Sequence, residues 1–465
     1  MLVKPYTTNF SKIGEQVFLR CDPKYRHFWD SMNGVSIDEK RLVQLQTKDI
    51  LLPFSKKVIK KGKLDEERPI IELEDVEPRT SIILNERLVS EVGSDKLDFG
   101  DCDLVLNRLE PYLGKVIIND RSRKYIGTTE WIPLKVDTTK VRPLFLKYLL
   151  LLPQFRHSFW LLRSGKRHAR LALVDFRNML IPLPALGKQM ELESEIIPLE
   201  KEIQLEHRSL PKPIDIVNDV FSRQFRYSVN DYQKRAKQNS FQRPASSLGA
   251  TLLLRSSVKF QHPKYDYVND ILSHYPIVKL GSLCSRRIQR GVQPTYVPGG
   301  EVLVVKTLNL RNEYLDLTEA DHVTRGFFET NNECELKRND ILVSSTGEGR
   351  GKVDIYGSDE PAIADSHISI IRLKGDVNPY YVLYFMRSLL GKLQLETLEL
   401  AIKGTPEIYW HQLERLRLID LPKEEQEAIV ERVGTRLEDL RNRRSILSKL
   451  RDQIDSVVKE AFIHN

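Results

Sequence analysis

The sequence predicts a mixed α/β protein built twice over, each copy a globular domain of short strands and helices that runs into a helical tail. Two observations carry that expectation. The final stretch, residues 423–465, places apolar residues at Val430, Val433, Leu437, Leu440, Leu447, Ile454, Val458 and Ala461. Gaps of three and four keep them on one face of a helix, interrupted by Arg444 and Arg451. Short motifs also recur in the same order about 240 residues apart. Asp22-Pro23-Lys24-Tyr25 is echoed by His262-Pro263-Lys264-Tyr265, and Asp103-Leu104-Val105-Leu106 through Gly114-Lys115-Val116 by Asp340-Ile341-Leu342-Val343 through Gly351-Lys352-Val353. Ile181-Pro182-Leu183-Pro184 is echoed by Ile419-Asp420-Leu421-Pro422, and Ile214-Asp215 through Val220-Phe221 by Ile454-Asp455 through Ala461-Phe462. A common offset across four matches is the mark of a duplicated unit.

In chain order, residues 1–184 form the first globular copy. Strands are expected at 69–73, at 81–84, and as a pair at 103–106 and 115–118 around the loop 107–114. Pro143 opens an apolar helix over 144–152. The basic loop Arg163-Ser164-Gly165-Lys166-Arg167-His168-Ala169-Arg170 precedes the first long helix, residues 185–226, whose stripe is Leu192, Ile196, Leu199, Ile203 and Leu210. Pro198 should kink that helix, and Pro211 with Pro213 should break or bend it. Residues 227–257 lack a steady period and read as a linker. The second globular copy covers 258–422, with strands at 277–281, 302–305, 340–345 and 352–355, and a helix from Asn378-Pro379 to about Leu390. Residues 423–465 form the second long helix, with Pro422 and acidic Glu424, Glu425 and Glu427 suiting its positive N-terminal end.

At 465 residues the chain has room for two or three domains, and 41% hydrophobic with 29% charged residues is an ordinary globular composition. The N-terminus lacks the apolar core of a signal peptide, and the longest apolar run, near 145–153, is far short of a membrane span. Cys21, Cys102, Cys284 and Cys334 show no C-x-x-C spacing, so neither a zinc site nor a disulfide framework is expected, and a reducing cytoplasm is. A net charge of +8 permits a polyanion partner.

Chemical motifs are scarce. Gly347-Glu348-Gly349-Arg350-Gly351-Lys352 lacks phosphate-loop spacing, with Val353 where a magnesium-binding hydroxyl belongs. It reads instead as a hairpin tip that carries Arg350 and Lys352. Asn378-Pro379-Tyr380-Tyr381 lacks the second proline of the adenine-methylase motif and reads as a helix cap. The ten histidines neither pair at i, i+4 nor gather with cysteines. Carboxylates such as Glu66, Glu72, Glu74 and Asp75 do not form a nuclease signature. Basic clusters are the stronger signal: Arg163, Lys166, Arg167 and Arg170 in one copy, Arg286, Arg287 and Arg290 in the other, all suited to neutralising phosphates.

These residues resemble a known family. Arg290-Gly291-Val292-Gln293-Pro294-Thr295-Tyr296, then Gly300 and Val304-Val305-Lys306-Thr307-Leu308-Asn309, resemble the opening of a target-recognition domain. So do Leu106-Asn107-Arg108-Leu109-Glu110-Pro111-Tyr112-Leu113-Gly114-Lys115 and the two Leu-Pro entries with Gln downstream. The family is the specificity subunit of type I restriction-modification systems. The resemblance implies two α/β target-recognition domains (1–184 and 258–422), set apart by a pair of long antiparallel, coiled-coil-like helices in a pseudo-twofold tandem repeat. Each domain would read half of a split double-stranded DNA site, with the helices fixing the unread spacer.

By the same resemblance the chain has no chemistry or cofactor of its own and no membrane association. It docks DNA methyltransferase subunits, two by expectation, which bind S-adenosylmethionine and methylate adenine. A motor-nuclease subunit joins some such complexes. The expected DNA contacts are Arg108, Tyr112, Lys115, Lys166, Arg167, Arg290, Arg350, Lys352 and Lys403, with no catalytic or metal residue. The alternative from another class is a DNA-acting enzyme, nuclease or methylase, with an unrecognised active site. A third is a scaffold using the long helices for protein contacts alone.

Overall fold

The computed structural model describes residues 43–165, 168–244, 258–318, 320–347, 349–402 and 405–461. The Asp22-Pro23-Lys24-Tyr25 motif and the end of the expected linker, residues 245–257, lie outside them. The chain divides into two compact units, Met1–Ser209 with Arg443–Asn465 and Leu210–Asn442.

The first unit is centred on an antiparallel trio of strands. Leu104-Val105-Leu106 is an unbroken apolar run, the pattern of a strand covered on both faces, and all three residues are wholly buried. Leu104–Asn107 pairs with Trp131–Val136 on one side (Leu104 opposite Leu134) and with Val116–Ile118 on the other. A five-stranded sheet lies beside it, in the order Lys57–Ile59, Lys96–Asp98, Ile126–Thr128, Gly62–Ile71, Arg87–Val92. Trp131 joins the two: its buried indole N–H donates to the Ile71 carbonyl at 3.0 Å. Gly127 makes room for this, because a Cβ there would stand 2.5 Å from the Ile71 oxygen and 2.7 Å from the indole.

The strand expected at 81–84 is absent. Arg79 and Ser81 adopt φ of 71° and 57°, left-handed conformations that interrupt extended chain, and a single bridge joins Val76 to Ile83.

Helices Pro143–Leu151 and Pro153–Leu162 follow, then a short hairpin (Arg163–Ser164 with Arg170–Leu171). Strand Leu180–Leu183, paired with Val43–Gln46, leads into helix Leu186–Ser209. That helix continues through Pro198, and the break falls where it was expected, at the Pro211 and Pro213 pair. A single proline forfeits only its own N–H, and Ser194, whose carbonyl it frees, is an exposed residue.

In the second unit Ile341–Ser344 pairs with Ile368–Ile371 (Ile341 opposite Ile371) and with Val353–Ile355. A three-stranded sheet, Asp321–Val323, Val302–Val305 and Ala362–Ala364, accompanies them. Here the fitting residue is Gly291, whose Cβ would come within 2.1 Å of the Ala364 carbonyl. Helix Pro379–Arg387 ends earlier than expected, because Ser388 leaves helical geometry to cap a second helix, Leu389–Leu398. Part of the expected linker is also helical: Ser228 caps Val229–Ala236, accepting from the Asp231 N–H at 3.2 Å. Helix Pro213–Gln224 brings Phe221 into the core with Tyr381, Phe385, Ile429 and Val433.

Each unit contains the same glutamine bracket. Gln189, wholly buried, accepts from the Arg142 N–H at 2.9 Å and donates to the Pro184 carbonyl at 2.8 Å. Gln426 accepts from the Asn378 N–H at 3.0 Å and donates to the Leu421 carbonyl at 2.9 Å. Both brackets tie the start of a helix (Pro143–Leu151 or Pro379–Arg387) to the corner where a strand turns into a long helix. They satisfy backbone groups that the corner leaves without partners.

The C-terminal helix is Lys423–Glu460. Ile429, Val433 and Leu440 are buried in its first part, and Leu447, Leu450, Ile454 and Val458 in its last. The stripe's interruption at Arg451 has a structural use. Its buried guanidinium sits 4.6 Å from the Tyr148 ring centre and 3.0 Å from Asp455. Tyr148 in turn donates to Glu200 at 3.0 Å, and Lys147 Nζ lies 2.5 Å from the same carboxylate. Burial is the main reason the Tyr148 phenol titrates far above its usual range.

Candidate nucleic-acid interface

In the first unit the central strand ends at Asn107, and that buried side chain shapes the loop that follows. Its amide donates to the carbonyls of Leu109 and Glu110 at 2.8 and 2.9 Å and accepts from the Lys115 N–H at 3.0 Å. The loop turns through left-handed Glu110 (φ 47°), a 3-10 turn at Pro111–Leu113 and left-handed Gly114 (φ 63°). Residues 163–171 are stitched to it. The Leu171 N–H donates to the Arg108 carbonyl, the Glu110 N–H to the Ala169 carbonyl, both at 2.9 Å, and Leu109 bridges Arg170. Loop and hairpin therefore share one surface.

The expected contacts fare differently on that surface. Arg108 is exposed and has no ion pair among the described residues. Tyr112 is half-buried beneath Arg163, whose guanidinium is 5.2 Å from its ring centre and 4.2 Å from that of Trp160. Arg170 is neutralised by Glu130, with contacts of 2.8–3.0 Å. Lys115 departs from expectation. It is buried, its Nζ donates to the Leu73 carbonyl at 2.6 Å, and desolvation lowers its pKa. It braces the loop from within and presents no charge at the surface. Lys166 and Arg167 lie outside the described residues.

The second unit repeats the arrangement with different residues. Ser344 and Ser345 end the central strand, both wholly buried, and the loop 345–352 turns at Gly347 and Gly351, with φ of 76° and 77°. A short hairpin, Leu400–Ile402 with Thr405–Glu407, is joined to it through the Ile408 N–H, which donates to the Ser345 carbonyl at 3.0 Å. Two expected contacts are committed inside the unit: Arg350 pairs with Glu399 at 3.2 Å, and Arg290 with Glu407. These arginines fasten the loop and the hairpin, so their charges are already compensated. Lys352 is half-buried with no ion pair among the described residues, and Lys403 lies outside them.

Sequence reasoning passed over one exposed pairing here. Arg287 lies over the Trp410 ring at 4.8 Å, with its side chain 76% exposed. An Arg-aromatic pair at a loop junction was visible in the sequence only as two unrelated residues.

Among the described residues no group of three or more His, Cys, Asp or Glu is placed to hold a metal. Nor is any helix long and apolar enough to cross a membrane. Cys102, Cys284 and Cys334 are buried thiols, and burial pushes the first two up to about 12. They pack as small apolar residues, and a thiol held protonated is a poor nucleophile.

Residues 277–455 match the family model described as the type I restriction modification DNA specificity domain. That stretch, in the second half of the chain, is therefore similar to a type I restriction-modification DNA specificity domain. Three solved structures resemble the chain. One comes from a study of complex assembly and conformational transition of the type I R-M system, at 14% identity over 91% of this chain and 97% of that one, with a TM-score of 0.37. Another is the HsdS subunit from Thermoanaerobacter tengcongensis, at 13% identity over 90% and 96%, TM-score 0.31. The third is the type I S subunit from M. genitalium, at 11% identity over 92% and 97%, TM-score 0.37. No curated protein matches the chain.

Proposed function

We propose that this specificity chain reads a split double-stranded DNA site, one half with the loop and hairpin of each unit, and directs adenine methylation by a partner enzyme. The observation that carries the reading is the repeated junction. In each unit a loop after the central strand and a hairpin before the long helix are joined by backbone hydrogen bonds, leaving Arg108 in one and Lys352 in the other without an ion pair among the described residues. Arg108, Tyr112, Lys166 and Arg167 contact DNA from the first unit, and Lys352 and Lys403 from the second. Arg290 and Arg350 act indirectly, by holding those loops.

The partners are DNA methyltransferase subunits, two per chain, and a motor-nuclease subunit joins them where restriction accompanies modification. S-adenosylmethionine binds the methyltransferase and not this chain. The complex works in a prokaryotic cytoplasm. Two linked half-site readers gain affinity through effective concentration when their separation fits the DNA. Expressing the chain with the methyltransferase encoded beside it and mapping methylated adenines tests the reading. One split motif, lost when this chain is deleted, is the expected result. Methylation unchanged by the deletion would overturn it.

A further inference from the structure

Beside Arg108 of its loop the first unit gathers two further cations, Lys56 and Arg177, that lie in neither the loop nor the hairpin. Phe54 packs against the core group that includes Phe99, Val105 and Trp131, and Trp131 is the strand partner of Asn107. The chain leaving Phe54 reaches Lys56 two residues later, and the chain leaving Asn107 reaches Arg108 at once, so both emerge from the same part of the core. The Arg108 carbonyl holds the Leu171 N–H at 2.9 Å, and Leu171 leads directly into the short helix Leu173–Arg177, which ends at Arg177. All three side chains are exposed, and none has an ion pair among the described residues.

Their mutual influence falls on Lys56. Desolvation lowers its pKa first, and the positive charges of Arg108 and Arg177 lower it further. Edge-strand lysines that merely discourage sheet-to-sheet pairing are a familiar device. That device accounts for Lys57 and Lys60, which lie 3.9 Å from Asp98 and 2.8 Å from Asp95. It does not account for Arg108 and Arg177, which belong to no sheet edge. Like charges held together without a counter-ion oppose folding, and a bound polyanion relieves them.

We propose that Lys56, Arg108 and Arg177 form a three-cation clamp for the sugar–phosphate backbone of duplex DNA on the first unit. The proposal rests on the DNA-specificity reading and adds Lys56 and Arg177 to it. The clamp positions the duplex against the loop and hairpin and is indifferent to base sequence.

The test is the affinity of the full chain for a mixed-sequence duplex, followed by fluorescence anisotropy across a range of KCl concentrations. The variant is Lys56→Gln with Arg177→Gln, and the control Lys201→Gln with Arg208→Gln removes the same charge from exposed positions on the long helix. Losing two phosphate contacts flattens the log–log salt slope by about 1.8 and weakens binding about 30-fold at roughly 0.15 M salt, an effect that fades towards 1 M. The control keeps the wild-type slope. An unchanged slope in the clamp variant, or an equal loss in the control, overturns the clamp while leaving the specificity reading intact. A wild-type chain with no salt-dependent affinity for DNA overturns the specificity reading itself.

Discussion

Replacing Gln189 by Leu tests how much of the first unit depends on one buried amide. The side chains are similar in volume, so little cavity arises and the effect isolates hydrogen bonding. Three groups lose a partner: the Arg142 N–H, the Pro184 carbonyl and the Lys140 carbonyl, the last held at 3.1 Å. Lys140 is an exposed residue and recovers its bond from water. The other two are enclosed, at about 1–3 kcal/mol for each buried group left unsatisfied, so the loss should be roughly 3 kcal/mol.

Hydrogen exchange of the amides of helix Pro143–Leu151 is the local readout, and 3 kcal/mol corresponds to exchange about 150-fold faster. Helix Pro379–Arg387, bracketed separately by Gln426, serves as the internal reference and should exchange as in the wild type. Exchange of the first helix within about threefold of wild type would refute the bracket as an energetic element.

Two other outcomes follow from single side chains. Asn378 Oδ1 accepts from the Tyr380 and Tyr381 N–H groups at 3.0 and 3.4 Å, so Asn378→Ala should cost about 1 kcal/mol in urea denaturation while Asn378→Ser retains most of it. Directed methylation should be unaffected by either, and loss of methyl transfer with a normally folded Asn378→Ser protein would instead indicate a methylase site. Asp354, buried against Arg387, has its carboxyl pushed up to about 6 by desolvation, partly offset by that guanidinium. Its folded value exceeds its ordinary one, so its contribution is complete below the ordinary carboxylate range and is lost as pH rises through 6. Stability measured relative to Asp354→Asn should therefore fall by about 1.4 kcal/mol between roughly pH 5 and 7, and a flat difference would contradict it.

The parts of this protein that could be read from sequence are those where pattern and packing coincide. Leu104-Val105-Leu106 and Ile341-Leu342-Val343 are apolar without interruption and become buried strands. The two Leu-Pro corners with a downstream Gln are recognisable, although nothing in their pattern reveals that each glutamine holds the N-terminus of a distant helix. Ser81-Ile82-Ile83-Leu84 misled because β-type side chains do not reveal left-handed neighbours at Arg79 and Ser81. Arg451 looked like a defect in a stripe, since its partners Tyr148 and Asp455 become neighbours only through tertiary packing.

The candidate interface was the least legible region. A basic residue in a loop looks the same in sequence whether it faces DNA or a carboxylate. Arg350 and Arg290 turned out to have Glu399 and Glu407 waiting for them, and Lys115 a backbone carbonyl. Lys56 does not stand out in the sequence, because its run of lysines flanks a strand, where lysine is ordinary.

The stitching of the loops has a bearing on how such a protein changes its target. Arg163 and Arg170 in one unit, and Arg290 and Arg350 in the other, are held by aromatic rings or carboxylates within their own unit. The anchors of the loops are thus chemically separate from the residues left over to meet a ligand. Substitutions among the latter can accumulate without loosening the frame that carries them, so on the proposed reading a new DNA preference does not require a new fold. Inheritance can treat each junction as a replaceable reading head on a fixed mount.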